Sequence, residues 1–209
     1  MLISENGSKP KFKEAPEGVH LAICYGLVDL GTQTSVIKGE TTSARKIRIF
    51  WELHGEDSEG KPLTLDDGRP LSVSERYTLS LNEKANLRQM LTSWRGSDFT
   101  KQELKGFDLR SIIGKPCMVT VTHNIVGDRT WVNVKAVTGV PSAMKKLGLP
   151  TKANPDMYFS FGYFDGEEFE ALPKGLQEII MKAPEWEERQ QITKSVTSLD
   201  DVEDDIPFN

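Results

Sequence analysis

Apolar and polar positions alternate along this chain with two different periods, and the point where the period changes organises the rest. Over Leu81–Gly96, Leu87, Met90, Leu91 and Trp94 fall at i, i+3, i+4 and i+7, one stripe of a 3.6-residue repeat. Ser80 with Glu83 reads as a capping box at its start, and Arg95 with Gly96 as a cationic last turn and a left-handed stop. Lys84, Arg88, Gln89 and Ser93 lie off the stripe, so this predicted helix has one wet face and one that covers apolar surface. Everything near it runs with a period of two. Three strand-like segments precede the helix and two follow it, and that order carries most of the architectural information.

The first predicted strand is Val19–Leu30, with Val19, Leu21, Ile23, Tyr25 and Leu27 on one face and Gly26 marking a bulge or bend. A Thr-, Ser- and Gly-rich stretch over 31–44 reads as a polar loop. The second strand, Arg45–Leu53, puts Ile47, Ile49, Trp51 and Leu53 on one face and Lys46, Arg48, Phe50 and Glu52 on the other. A turn-rich excursion over 54–70 follows, in which Asp66 and Asp67 beside Gly68 read as turn residues rather than metal ligands. The third strand spans Leu71–Leu79 with Arg76 facing outward; Glu75 interrupts its apolar face and marks it as bulged or at an edge. After the helix, Thr100 and Glu103 form a second capping box. Cys117–Asn124 and Thr130–Thr138 then pair as a hairpin around Gly127 and Asp128. On its second arm Val132, Val134 and Ala136 are expected inward, and Trp131, Asn133 and Lys135 outward, next to the turn residue Arg129. The plain alternative for Trp131 is packing beneath the N-terminal arm or the C-terminal extension, and for Phe50 an isolated apolar residue on a solvated face.

The pattern divides the chain of 209 residues into an N-terminal arm (1–17), a β-rich domain (18–140), an aromatic and helical extension (141–190) and an acidic tail (191–209). In the extension, Tyr158, Phe159, Phe161, Tyr163, Phe164 and Phe169 crowd into a dozen positions, and Leu176, Ile179, Ile180 and Ala183 mark one more amphipathic helix. Such aromatic density reads as an element that docks on the main domain, or as a stacking surface. The tail has no means of forming a core and is expected to be disordered.

Charge sharpens this division. The formal net charge is -5, but residues 1–150 hold 21 Lys and Arg against 17 Asp and Glu, and residues 151–209 hold 5 against 14. A mildly basic body thus carries a strongly acidic end, which as a plain alternative is only a solvating tail. A chain of this length buries a core without staples. The start lacks an apolar signal segment and there is no long apolar run, so the expectation is a soluble, cytoplasmic protein with Cys24 and Cys117 as free, buried thiols. Phosphate-binding loops, dinucleotide fingerprints, CxxC and HExxH motifs are absent, and His20, His54 and His123 show no zinc spacing. No cofactor, metal or catalytic role is expected.

What remains fits an extended polyanion. Strand, strand, strand, helix, strand, strand is the order of the OB-fold, a five-stranded barrel that binds oligonucleotides. Single-strand binders combine cations that follow the phosphates with aromatic faces for the bases. Lys46, Arg48, Phe50, Arg76, Arg129, Trp131 and Lys135 supply both kinds. The end of the chain, Asp204-Asp205-Ile206-Pro207-Phe208, resembles the acidic tip of bacterial single-stranded DNA-binding proteins, with the difference that Asn209 follows the phenylalanine. The stretches RYTLSLNEKANLRQMLTSWRG and GKPCMVTVTHN, with PEW late in the chain, look like phage-encoded OB-fold single-stranded DNA-binding proteins. The resemblance implies a stoichiometric binder of single-stranded DNA in phage replication, recombination and repair, acting in the bacterial host cytoplasm and recruiting partner enzymes through Asp204, Asp205, Ile206, Pro207 and Phe208. The competing expectations are a replisome adaptor that binds protein rather than DNA, and a nuclease or strand-annealing enzyme built on the same domain.

Overall fold

The computed structural model describes residues 13–191 other than Lys38 and Asp128. The N-terminal arm before Lys13 lies outside the described residues. So does the acidic tail from Ile192 onward, with Asp204, Asp205, Ile206, Pro207 and Phe208. The fold is mainly β with a few helices: β1 (Gly18–Ile37), β2 (Glu40–His54), β3 (Ser72–Thr78), α1 (Asn86–Arg95), β4 (Pro116–Val126), β5 (Arg129–Thr138), α2 (Ser142–Lys146), β6 (Met157–Phe159), α3 (Gly166–Glu170) and α4 (Lys174–Ile180).

Where five strands closing into a barrel are expected, six strands form an open sheet. Its hydrogen-bonded path runs β3-β2-β1-β4-β5, all antiparallel, and β6 joins β1 in parallel. β4 pairs with β1 over Gly18–Ile23 and β6 over Gly26–Val28, so the long first strand shares one edge between two partners. Two residues explain why β3 and β5 do not ladder together. Glu75 places a carboxylate on the apolar parity of β3. Lys135 is the extra residue of a β-bulge on β5, between Val134 opposite Val121 and Ala136 opposite Thr120. Charges and bulges at edges are what keep strands from pairing further.

The same bulge corrects the parity expected for β5. Val132 and Val134 are partly buried as predicted, but beyond Lys135 the alternation slips, so Ala136 is exposed and Val137 is buried. β1 is corrected in the same way. Ala22 and Cys24 enter the main core while Val19 is exposed, the reverse of the expected face. Both parities of β1 are apolar, so alternation alone does not choose between them. The extra residue Tyr25, bulged between Cys24 and Gly26, then brings Leu27 onto the core side. The predicted loop over 31–44 is instead the far end of the β1–β2 hairpin, where Thr34 meets Ser43 at 3.0 Å and Ser35 meets Thr42 at 3.2 Å. Cross-strand hydroxyl pairs stabilise a ladder without any apolar signature.

α1 begins later than expected. Its N-cap is Ala85, and Ser80 Oγ accepts from Asn82 N–H in a local turn instead of capping the helix. The buried stripe of Leu87, Met90, Leu91 and Trp94, and Gly96 as a left-handed C-cap donating to Thr92 O, are as predicted. The second capping box forms: Thr100 N–H donates to Glu103 Oε2 at 2.8 Å and Glu103 N–H to Thr100 Oγ1 at 3.2 Å. α1 presses its stripe against the inner sheet face, with Trp94 6.3 Å from Trp51 and its Nε1–H donating to Pro116 O.

The opposite face of β1 and β2 carries a second core. Val28 and Leu30 are covered by Phe159, Phe169, Leu172, Leu176 and Ile180, with Phe164 and Trp186 around them. Two polar clamps fix this cover. Thr32 donates its N–H and its Oγ1–H to Glu185 at 2.9 and 2.6 Å. Glu52, 0% exposed, accepts from Ala153 N–H, Asn154 N–H, Asn154 Nδ2 and His54 Nε2 at 2.7 to 2.9 Å. At Gly31 the cover leaves no room for a side chain: its φ is +68°, and a Cβ there would lie 2.5 Å from Ala183 Cβ.

Candidate nucleic-acid interface

Pairing of β2 with β3 sets Lys46 opposite Thr78, Arg48 opposite Arg76 and Phe50 opposite Ser74, so these six side chains share the outer face. β3 is an edge strand, and α1 bridges from it towards β5. Between the two free edges lies a groove of about 870 Å³. Lys46, Arg76 and Thr78 stand on one side, Lys135 on the other, and Lys84 with Asn82, Asn86 and Gln89 at the helix end. Tyr77, Met90, Val134 and Val137 supply its apolar surface. Four cations thus face one carboxylate, Glu75, whose Oε1 accepts from Arg76 N–H at 2.9 Å. Lys46 Nζ donates to Thr78 Oγ1 at 2.6 Å, across the β2–β3 ladder.

Arg48 sits beside the groove in an unsettled electrostatic position. Burial, and then the neighbouring Arg76 cation, push its guanidinium below the ordinary arginine value, with Glu75 opposing them. Among the described residues no acceptor meets its buried Nε. Like charges directly across a ladder are unfavourable, and a bound anion relieves such a pair.

The residues expected to bind nucleic acid therefore fall into three places. Lys46, Arg76 and Lys135 line the groove, with Arg48 beside it. Phe50 does not reach it: the ring is half-buried, packs against the second core and lies 6.0 Å from Tyr25. Sequence parity put Phe50 with the cations, but the C-terminal extension covers that part of the face. Arg129 and Trp131 lie farther along β5 towards the hairpin tip, where Trp131 is 55% exposed beside exposed Ile125 and Val126. Lys84 was missed, because on sequence it is one residue of a wet helix face. The polar run Ser80, Asn82, Lys84 and Asn86 just before the helix is the signal that could have found it.

Other chemistry is sparse. Both cysteines are free and buried, and desolvation pushes the Cys24 thiol up to about 12 and raises Cys117 well above its ordinary value. Neither supplies a thiolate nucleophile near neutral pH. Among the described residues, no group of three His, Cys, Asp or Glu is placed to hold a metal ion, and no helix is long and apolar enough to cross a membrane. No protein-family model matches the chain, and no curated protein matches it.

Proposed function

We propose that this chain is a phage-type single-stranded DNA-binding protein, in which the open sheet is an OB-type barrel whose β3 and β5 edges approach without pairing and whose groove along that seam carries the strand. The order β3-β2-β1-β4-β5 is that of an OB barrel lacking its closing pair. The observation that carries the reading is the convergence of Lys46, Arg76, Lys84 and Lys135, from three strands and a helix approach, on one groove with apolar surface. Cations that track phosphates beside faces that accept bases are the requirements of sequence-tolerant single-strand binding.

Titration with single- and double-stranded oligonucleotides at two or more salt concentrations tests this. Single strands should bind in preference, and log affinity should fall with log salt at a slope of about -0.7 per phosphate contact. Affinity that ignores salt, or equal binding of duplex, would defeat the reading. A protein-interaction adaptor is the second reading, favoured by the exposed apolar hairpin tip of Ile125, Val126 and Trp131; an adaptor would show no shift with either nucleic acid.

The tail enters as part of the same proposal. Asp200, Asp201, Glu203, Asp204 and Asp205 are tethered to a body of net positive charge, at an effective concentration of up to about millimolar. Removing residues 200–209 should raise single-strand affinity most at low salt, where the competition is least screened, and abolish partner recruitment. Phe208→Ala should lose partners while DNA affinity stays near that of the parent. Pull-downs paired with titrations check this, and recovery of the same partners by the truncated chain would reduce the tail to a solubilising appendage.

A further inference from the structure

We propose that a second cavity, roofed by the aromatic segment of the C-terminal extension, receives an unstacked nucleobase of the bound single strand. The proposal rests on the single-strand reading above. This cavity, of about 660 Å³, lies between residues 106–110 and residues 158–163, over Leu27, Ile47 and Leu79. Its volume is in the range of about 300–1,000 Å³ that small-molecule sites occupy.

Three features select a base over a phosphate. First, the planar groups needed for stacking are present. Arg110 Cζ stands 4.4 Å from the centroid of Tyr158, and Tyr163 is 81% exposed at the rim. Unstacked bases are held on aromatic rings and on guanidinium planes. Second, the turns that carry Arg110 and Tyr163 are locally fixed. Asp108 accepts from Arg110 N–H at the start of one 3₁₀ turn, and Ser160 Oγ accepts from Gly162 N–H in the turn that carries Tyr163. Third, the charge is wrong for a phosphate: Asp29 and Asp108 line the cavity beside the single cation Arg110. Asp29 is already committed to Arg45 at 2.5 Å and to Gly31 N–H at 3.0 Å.

The cavity adjoins the groove across β2 and the end of β3. Lys46 and Thr78 line the groove, and their chain neighbours Ile47 and Leu79 line the cavity. Neighbouring side chains on a strand point to opposite faces, so the groove at Lys46 and the cavity at Ile47 open on the two sides of β2, and Leu79 N–H is tied to Arg45 O at 2.8 Å where the chain leaves β3.

Oligothymidylates of graded length, titrated against the full chain and against Tyr163→Ala, Arg110→Ala and Arg110→Lys, test this. Tyr163 is exposed, so its truncation leaves both cores intact, as an unchanged unfolding transition will verify. Long oligomers should bind each variant about 5- to 150-fold more weakly, the loss that removal of a stacking platform produces, while short oligomers that fill only the groove bind all forms alike. The salt slope of Tyr163→Ala should equal the parent's. Arg110→Lys should lose as much as Arg110→Ala, because the plane is lost and the charge kept. In the parent, photo-crosslinking from 5-iodouracil should label Tyr158 or Tyr163. Parent-like affinity of Arg110→Lys with a weakened Arg110→Ala would mean a phosphate contact and overturn the proposal. Equal binding of long oligomers by Tyr163→Ala and parent would overturn it too, leaving the groove reading standing. A parent that binds no single strand overturns both.

Discussion

Glu52→Ala is expected to cost about 3–5 kcal/mol of stability and to loosen the C-terminal extension from the sheet. The carboxylate is buried on the outer face of β2 and accepts four hydrogen bonds, three of them from Ala153 and Asn154 more than a hundred positions away. Its loss leaves several buried donors without an acceptor, at about 1–3 kcal/mol each. Burial, the largest single influence on its titration, pushes the Glu52 carboxyl up, but the bonds from Ala153, Asn154 and His54 together carry it below its ordinary value. A carboxyl whose folded-state pKa is depressed contributes stability that is present above its unfolded value, about 4.3. That contribution fades as pH falls through the folded value. The parent should therefore lose stability below about pH 4.3 more steeply than Glu52→Gln, which cannot titrate there. Hydrogen exchange over residues 153–186 reads the loosening. Parent-like protection of that segment in Glu52→Ala would show that the aromatic packing holds it unaided.

Reversing two groove cations, Arg76→Glu with Lys135→Glu, is expected to weaken single-strand binding by about 100-fold at low salt and to flatten the log–log salt slope by about 1.4, two contacts' worth. Both side chains are exposed, and exposed substitutions usually shift stability by no more than about 0.5 kcal/mol, so the unfolding midpoint should stay close to the parent's. The positions come from different edges of the sheet, β3 and β5. Loss from each single reversal, with a larger loss from the pair, is the signature of one groove. If only one of the two matters, the strand follows a single edge; if neither does, the groove is not the DNA surface.

Periodicity was most reliable where one parity was plainly apolar. The stripe of Leu87, Met90, Leu91 and Trp94 and the buried face of Ile47, Ile49, Trp51 and Leu53 were legible because their polar neighbours left no alternative. β1 was not, because both its faces are buried, one by each core. Ser80 and Glu83 matched a capping motif that the chain does not use, since the turn closed by Ala85 N–H on Asn82 O delays the helix. The candidate site was half legible. Lys46, Arg76 and Lys135 could be chosen by parity, but Lys84 joins them only through tertiary approach. Phe50 leaves them because a distant segment covers it. No local pattern announces that a carboxylate such as Glu52, on the face shared with three other polar or aromatic residues, will be sealed from water.

The parallel pairing of β6 with β1 also sets a timetable for biosynthesis. Val28 and Leu30 are buried by Phe159 and its neighbours, which lie roughly 130 residues later in the chain. At translation rates of about 5–20 residues per second, that face of the nascent sheet stays uncovered for on the order of ten seconds. Ribosomes stalled within that interval would display an apolar strand edge, the form most prone to self-association. The segment from Met157 to Trp186 thus acts, in effect, as an intramolecular chaperone for β1.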